Sequence, residues 1–216
     1  MELLVMTDSL RRTYGYIPIN LVCPYVPYAR QDRVCAPGES LSLKVFADLI
    51  NAQKYDSVEV WDIHSEVAMA LLDRSYNVRQ ESFVKGIRNL PKRTVIVSPD
   101  AGALKKINAV SKVLGLDVLN ADKKRDVDTG EITGTVLHIN GRLSDEPCLI
   151  VDDICDGGRT FIELAKELKR NGSGSVSLYV THGIFSKGFN VFDDLIDKIY
   201  CPNVFGDVSD WKLERI

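Results

Sequence analysis

The sequence predicts an α/β chain built around parallel sheets. Three observations predict it: short apolar runs read as strands, amphipathic stretches at helical spacing follow them, and the alternation occurs in two successive series. Strand and helix in alternation imply right-handed βαβ units. The turn between the two series falls in residues 77 to 92, giving a first domain of 1–84 and a second of 85–216.

Taken in order, residues 1 to 14 read as a helix with Leu3, Met6 and Leu10 on one side and Gly15 as its stop. A chain that opens on Met1 inside a helical pattern, with no cap and no preceding strand, reads as a domain short of its first strands. Either the product is shortened or the numbering starts inside a longer chain. Ile17 to Cys23 is a short strand, and residues 24 to 37 form a loop rich in proline, tyrosine and charge. Ser40 is placed to cap a helix whose face is Leu43, Phe46, Ala47 and Ile50. Ser57 to Asp62 is the next strand and Ser65 to Leu72 the next helical stretch. In the second series, strand Thr94 to Ser98 leads to a helix with Ala103, Ile107, Val110 and Leu114 on one face, then to strand Leu116 to Asn120. Residues 121 to 134, A-D-K-K-R-D-V-D-T-G-E-I-T-G, are charged throughout and too long for a tight connection, so they read as a mobile functional loop.

The stretch at 147 to 161, P-C-L-I-V-D-D-I-C-D-G-G-R-T-F, carries the strongest signal. Cys148 to Val151 lack polar alternation, as in a strand covered on both faces. Asp152 and Asp153 then stand at its carboxyl end, where open α/β sheets bind ligands. Carboxylates accept hydrogen bonds from vicinal sugar hydroxyls. Asp156, Gly157 and Gly158 allow a sharp turn with outward N–H groups. A helix follows with Phe161, Leu164, Ala165 and Leu168 on one face and Asn171-Gly172 as its stop, so its first amides and the Thr160 hydroxyl are placed to hold a phosphate. A capped core helix beside a solvated loop is the structural alternative, and the order of the parts argues against it. Strand Ser175 to Thr181 and a terminal α/β segment close the chain.

Composition narrows the function. A 45% hydrophobic content fills sizeable cores, and a net charge of −3 without a long basic stretch speaks against a nucleic-acid surface. No run of 18 apolar residues and no signal peptide predict a membrane or export role. The five cysteines, 23, 35, 148, 155 and 201, are odd in number and lack C-x-x-C pairs, which fits reduced thiols and a cytoplasmic setting.

Other residues bear on chemistry. The loop P-Y-V-P-Y-A-R-Q-D-R at 24 to 33 offers two arginines for phosphate, as a nucleotide-binding edge. His64 in W-D-I-H and Asp100 in S-P-D-A-G each end a different strand. Asp100 suits Mg²⁺, since hard cations take oxygen, whereas the His64 imidazole is a less natural ligand. Lys123, Lys124 and Arg125 form the densest cationic cluster, of the kind that stabilises charge spread over a transferred phosphoryl group. Each segment alone is more often a satisfied structural group or a solvated surface.

Together the segments resemble ribose-phosphate pyrophosphokinase, the phosphoribosyl diphosphate (PRPP) synthetase family. The resemblance runs collinearly from M-E-L-L-V-M-T-D-S-L-R-R through P-Y-x-P-Y-A-R-Q-D-R, D-I-H-S, S-P-D-A-G, D-K-K-R, V-D-D-I-C-D-G-G-R-T and Y-V-T-H-G. It implies two type I phosphoribosyltransferase-like domains and transfer of the β,γ-diphosphate of Mg-ATP to the C1 hydroxyl of ribose 5-phosphate, in a homodimer or homohexamer. By that resemblance Arg30, Gln31 and His64 match ATP-binding positions, and His64 and Asp100 match those serving Mg²⁺. Lys123 and Arg125 match the catalytic cations, while Asp152, Asp153, Asp156, Gly157, Gly158, Arg159 and Thr160 match the ribose-phosphate site. Two departures stand out. The family's first strands, with a loop that reaches a neighbouring subunit's ATP, have no counterpart. The usual D-T-x-G-T reads Asp156, Gly157, Gly158, Arg159, Thr160, losing a hydroxyl and gaining a guanidinium, which implies ADP-ribose as an alternative acceptor. A PRPP-consuming phosphoribosyltransferase fits less well, because it leaves the Y-A-R-Q-D-R loop and D-K-K-R unused. A non-catalytic regulatory homologue is a third class, opposed by the retained cations and aspartates.

Overall fold

The computed structural model describes residues 1–125, 132–138 and 142–216. The chain divides into two compact units, Met1–Arg79 and Gln80–Ile216.

The first unit runs α1 (Glu2–Tyr14), β1 (Asn20–Cys23), α2 (Ser42–Ala52), β2 (Ser57–Trp61), α3 (Glu66–Leu71) and β3 (Ser75–Val78). Its three strands pair in parallel in the order β1-β2-β3, with Asn20 opposite Ser57 and Val58 opposite Ser75. Leu43, Ala47 and Ile50 of α2 and Ala68 of α3 bury against Val58 and Val60, one face of the period-two strand. Two details depart from expectation. The buried residue of α1 is Thr7, while Leu3 and Met6 are exposed. Thr7 tolerates burial because its hydroxyl donates to Leu3 O and shares a hydrogen bond with Tyr55 Oη. The α2 helix starts at Ser42 after Leu41, and the Ser40 hydroxyl bonds the Ser42 hydroxyl instead of a helix amide. Ser65 does cap α3, accepting from Val67 N.

The second unit contains α4 (Gln80–Phe83), β4 (Val95–Ser98), α5 (Leu104–Leu114), β5 (Val118–Arg125), β6 (Ile132–Leu137), β7 (Cys148–Cys155), α6 (Arg159–Arg170), β8 (Val176–Gly183), β9 (Lys198–Tyr200), β10 (Asn203–Val204) and β11 (Leu213–Glu214). The sheet order is β11-β9-β8-β7-β4-β5-β6, with β10 paired to β8. All pairings are parallel except β5 with β6. Strand β7 is covered on both faces: Cys148 and Ile150 join the core with Phe161, Leu164 and Leu168 of α6. Leu149 and Val151 join Ile107 and Val110 of α5 in the other core. That double burial is why the run shows no polar alternation.

Three expectations change here. The boundary lies at Arg79/Gln80, because Gln80 and Val84 are buried in the second unit, where Gln80 Nε2 donates to Asp152 O at 2.8 Å. The stretch 121 to 134, read as a loop, is in its described part an antiparallel strand pair, with Lys123 opposite Thr135 and Lys124 opposite Gly134. Its middle, 126 to 131, lies outside the described residues. Strand β7 runs on past Asp152 and Asp153 to Cys155, held by β8 through Ile154 opposite His182 and Cys155 opposite Gly183.

Candidate functional site

The site in the second unit is built by the carboxyl ends of β4 and β7 and the turn into α6. Parallel pairing sets Val97 opposite Ile150, so the segment after β4 comes up beside the two aspartates of β7. There Asp100 is fixed by its own backbone surroundings: Ser98 Oγ donates to its carbonyl at 2.8 Å, and its Oδ1 accepts from Ala103 N at 3.1 Å. Asp152 Oδ1 accepts from Asp153 N at 2.9 Å, and Lys106 Nζ stands 3.9 Å from Asp153 Oδ2. Asp152 is therefore braced by a neighbouring amide, and its carbonyl by Gln80.

Electrostatics mark Asp152 out. Burial, then the like charge of Asp153 and to a lesser degree that of Asp100, push its carboxyl well above the usual carboxylate range. Paired carboxylates on a strand near its carboxyl end suit hydroxyl donors or a hard cation. Among the described residues no group of three or more His, Cys, Asp or Glu side chains is arranged to hold a metal. The donor chemistry still fits Mg²⁺, which takes one or two carboxylates and completes its shell with water and substrate phosphates.

Past β7 the chain turns through Asp156, Gly157 and Gly158 into α6. Gly158 is buried, adopts φ +77°, and lies so close to the Phe192 ring that a Cβ would come within 2.5 Å of Cζ. Only glycine meets both demands. No side chain caps α6, and Ile162 N is the amide that takes Gly158 O. The N–H groups of the first turn have no acceptor within the helix, and Asp156, Arg159 and Thr160 are exposed around them. That arrangement presents amides, a hydroxyl and a guanidinium to an anion.

In the first unit the loops after β1 and β2 are tied together. Trp61 N donates to Pro24 O at 3.0 Å, and the Ser65 hydroxyl donates to Asp32 Oδ2 at 2.7 Å. Arg33 and Ser65 together hold the Asp32 carboxyl down to about 2. Arg30, Gln31 and His64 are exposed on these two loops, at the carboxyl edge of the sheet. Lys123 and Arg125 lie on β5, which pairs with β4 through Asn120 and continues as an arm that, among the described residues, pairs with β6. Their side chains lie outside the described residues.

Sequence reasoning missed Gln80 and Lys106, which brace the aspartates. Lys106 follows S-P-D-A-G by four residues and was legible as a cation near Asp100; nothing local marked Gln80. The five cysteines are free, and burial pushes Cys148 up to about 11 and Cys201 to about 12, so both stay protonated at neutral pH. No described helix is long and apolar enough to cross a membrane.

A parallel sheet whose central strand ends in paired acids, a glycine turn and a helix start has the architecture of a type I phosphoribosyltransferase domain. In agreement, the phosphoribosyl transferase domain model matches residues 81–184, and the model of the N-terminal domain of ribose phosphate pyrophosphokinase matches residues 1–53. A ribose-phosphate pyrophosphokinase of Mycoplasmopsis pulmonis is 33% identical over 94% of this chain and 64% of its own, and one of Rhizobium meliloti is 37% identical over 87% and 61%. The crystal structure of phosphoribosylpyrophosphate synthetase from Mycobacterium smegmatis shares the fold, with a TM-score of 0.82 at 22% identity over all of this chain and 72% of that one. The chain belongs to the ribose-phosphate pyrophosphokinase family. It spans somewhat over three fifths of the length of these curated relatives.

Proposed function

We propose that the protein is an ATP-dependent diphosphokinase that converts ribose 5-phosphate to PRPP. The observation that carries the reading is the acid pair and glycine turn at the carboxyl edge of the second sheet, in a chain of this family. Asp152 and Asp153 bind the ribose hydroxyls, while the amides of the turn, Arg159 and Thr160 hold the 5-phosphate. Arg30, Gln31 and His64 bind ATP. The C1 hydroxyl attacks the β-phosphorus, the bond to the α-phosphate oxygen breaks, AMP leaves and one proton is released. Lys123 and Arg125 stabilise the charge that develops. Asp100 and His64 would each serve Mg²⁺, which when bound neutralises phosphate charge. The arm bearing Lys123 leaves the same sheet edge as Asp152, which supports a shared site. A homodimer or homohexamer is part of the proposal, tested by sedimentation.

Arg159 supports a second acceptor, ADP-ribose, because an exposed guanidinium at the first helical position can pair with a further phosphate. Incubation with Mg-ATP and each sugar phosphate, followed by product identification, decides. PRPP and AMP are expected; nucleotide binding with no AMP release from ATP in the presence of either acceptor would make the protein a regulatory homologue.

A further inference from the structure

The turn between β7 and α6 has a neighbour that the family motifs do not include. After β8 the chain doubles back, and both Ile184 N and Phe185 N donate to Cys155 O, at 2.8 and 3.2 Å. Phe185, Phe189 and Phe192 are buried, with Phe185 and Phe189 centroids 4.7 Å apart and Phe192 edge-on to Phe185. Phe192 packs on Gly158 and Phe185 on Gly183, each closer than a Cβ would permit. The exposed residues Ser186, Lys187 and Gly188 are therefore pinned between buried rings, and Gly188 N closes the turn onto Phe185 O. This shelf stands against the phosphate turn: a Cβ on Gly157 would lie 3.6 Å from Lys187 Cγ and 4.0 Å from Ser186 Oγ.

We propose that Lys187 is a specificity-determining residue for the acceptor, contacting the phosphate at its 5′ end from the side of the turn opposite the helix start. The stem of Lys187 lies along Gly157, and Arg159 begins the helix two residues on. Among the described residues neither cation has a carboxylate within ion-pair distance, although the chain carries more acids than bases. Arg159 at the helix start and Lys187 on the shelf against Gly157, with the outward amides of the turn, form a receptor for a multiply charged phosphate end.

The inference rests on the diphosphokinase reading, and the measurements separate the two. Calorimetric titration with ribose 5-phosphate alone reads Lys187 without turnover, and AMP release under Mg-ATP reads the reaction. Lys187→Ala is expected to weaken binding about tenfold and to raise the acceptor KM by a similar factor, with kcat moving far less. Lys187→Arg restores most of the affinity. Lys166→Ala, which removes an equal charge paired to Glu163 elsewhere on α6, changes binding less than twofold. Unchanged binding by Lys187→Ala, or an equal loss in Lys166→Ala, overturns the inference, as does failure of the unaltered protein to bind ribose 5-phosphate. Binding that depends on Lys187 without AMP release supports the lysine assignment and removes the diphosphokinase reading.

Discussion

Replacing Gly158 by alanine tests the phosphate turn most directly. The residue sits at φ +77°, and an added Cβ would lie 2.5 Å from Phe192 Cζ and 2.7 Å from Cε1. An L-residue in the left-handed region costs about 1–2 kcal/mol. Forcing a methyl into a packed ring costs about 1–3 kcal/mol more, because Phe192 is fully buried and has little room to retreat. The sum is a destabilisation of about 2–5 kcal/mol, or ~6–15 °C in Tm for a unit of this size. Gly157→Ala is the internal control, since its Cβ would meet Lys187 Cγ at an ordinary 3.6 Å. Urea denaturation of both variants gives the comparison. In a Phe192→Leu background the Gly158→Ala cost should fall by about 1–2 kcal/mol, since the clashing ring edge is gone. Equal stability of the two alanine variants, or full additivity in the double variant, would refute the claim that ring contact and backbone sign together demand glycine.

Three further outcomes are expected. Lys123→Ala lowers kcat on the order of 10³-fold with little change in acceptor affinity, measured by AMP release; near-normal turnover would remove the arm from catalysis. The Asp152 carboxyl holds its proton more tightly in the fold than in the unfolded chain, so its contribution favours the fold below its ordinary value of 3.8 and is lost as pH rises through its raised one. Asp152→Asn, which keeps an oxygen for Asp153 N, should therefore be more stable than the unaltered protein at pH 7.5, on the order of 1 kcal/mol. That gain should vanish below about pH 4 in a melting series, and a gain independent of pH would contradict the assignment. Ser65→Ala should cost about 1 kcal/mol through loss of the α3 cap, whereas Ser40→Ala, whose hydroxyl meets only Ser42, should be close to neutral in the same urea titration.

The helix faces and the strand nature of residues 148 to 151 were legible because burial leaves a periodic mark on neighbouring residues: Phe161, Leu164, Ala165 and Leu168 are all buried as their spacing requires. Where a polar residue supplies the burial, the mark fails, and α1 seats Thr7 against Tyr55 while Leu3 and Met6 face outward. The charged stretch after Asn120 looked like a loop because strands normally alternate apolar and polar residues. Antiparallel pairing of an arm satisfies its backbone hydrogen bonds whatever side chains it carries, so a charged stretch can be strand without that alternation.

The sequence by itself determined the local chemistry: acids after a buried run, glycines before a helix, cations beyond a strand, in an order that named the family. Only the tertiary structure decided which of these meet. Parallel pairing of β4 with β7 brings the charge of Asp100 to bear on Asp152, and packing of three phenylalanines sets Lys187 against Gly157. Both pairs are separated by tens of residues, and their proximity comes from sheet register and ring packing, which act through space rather than along the chain.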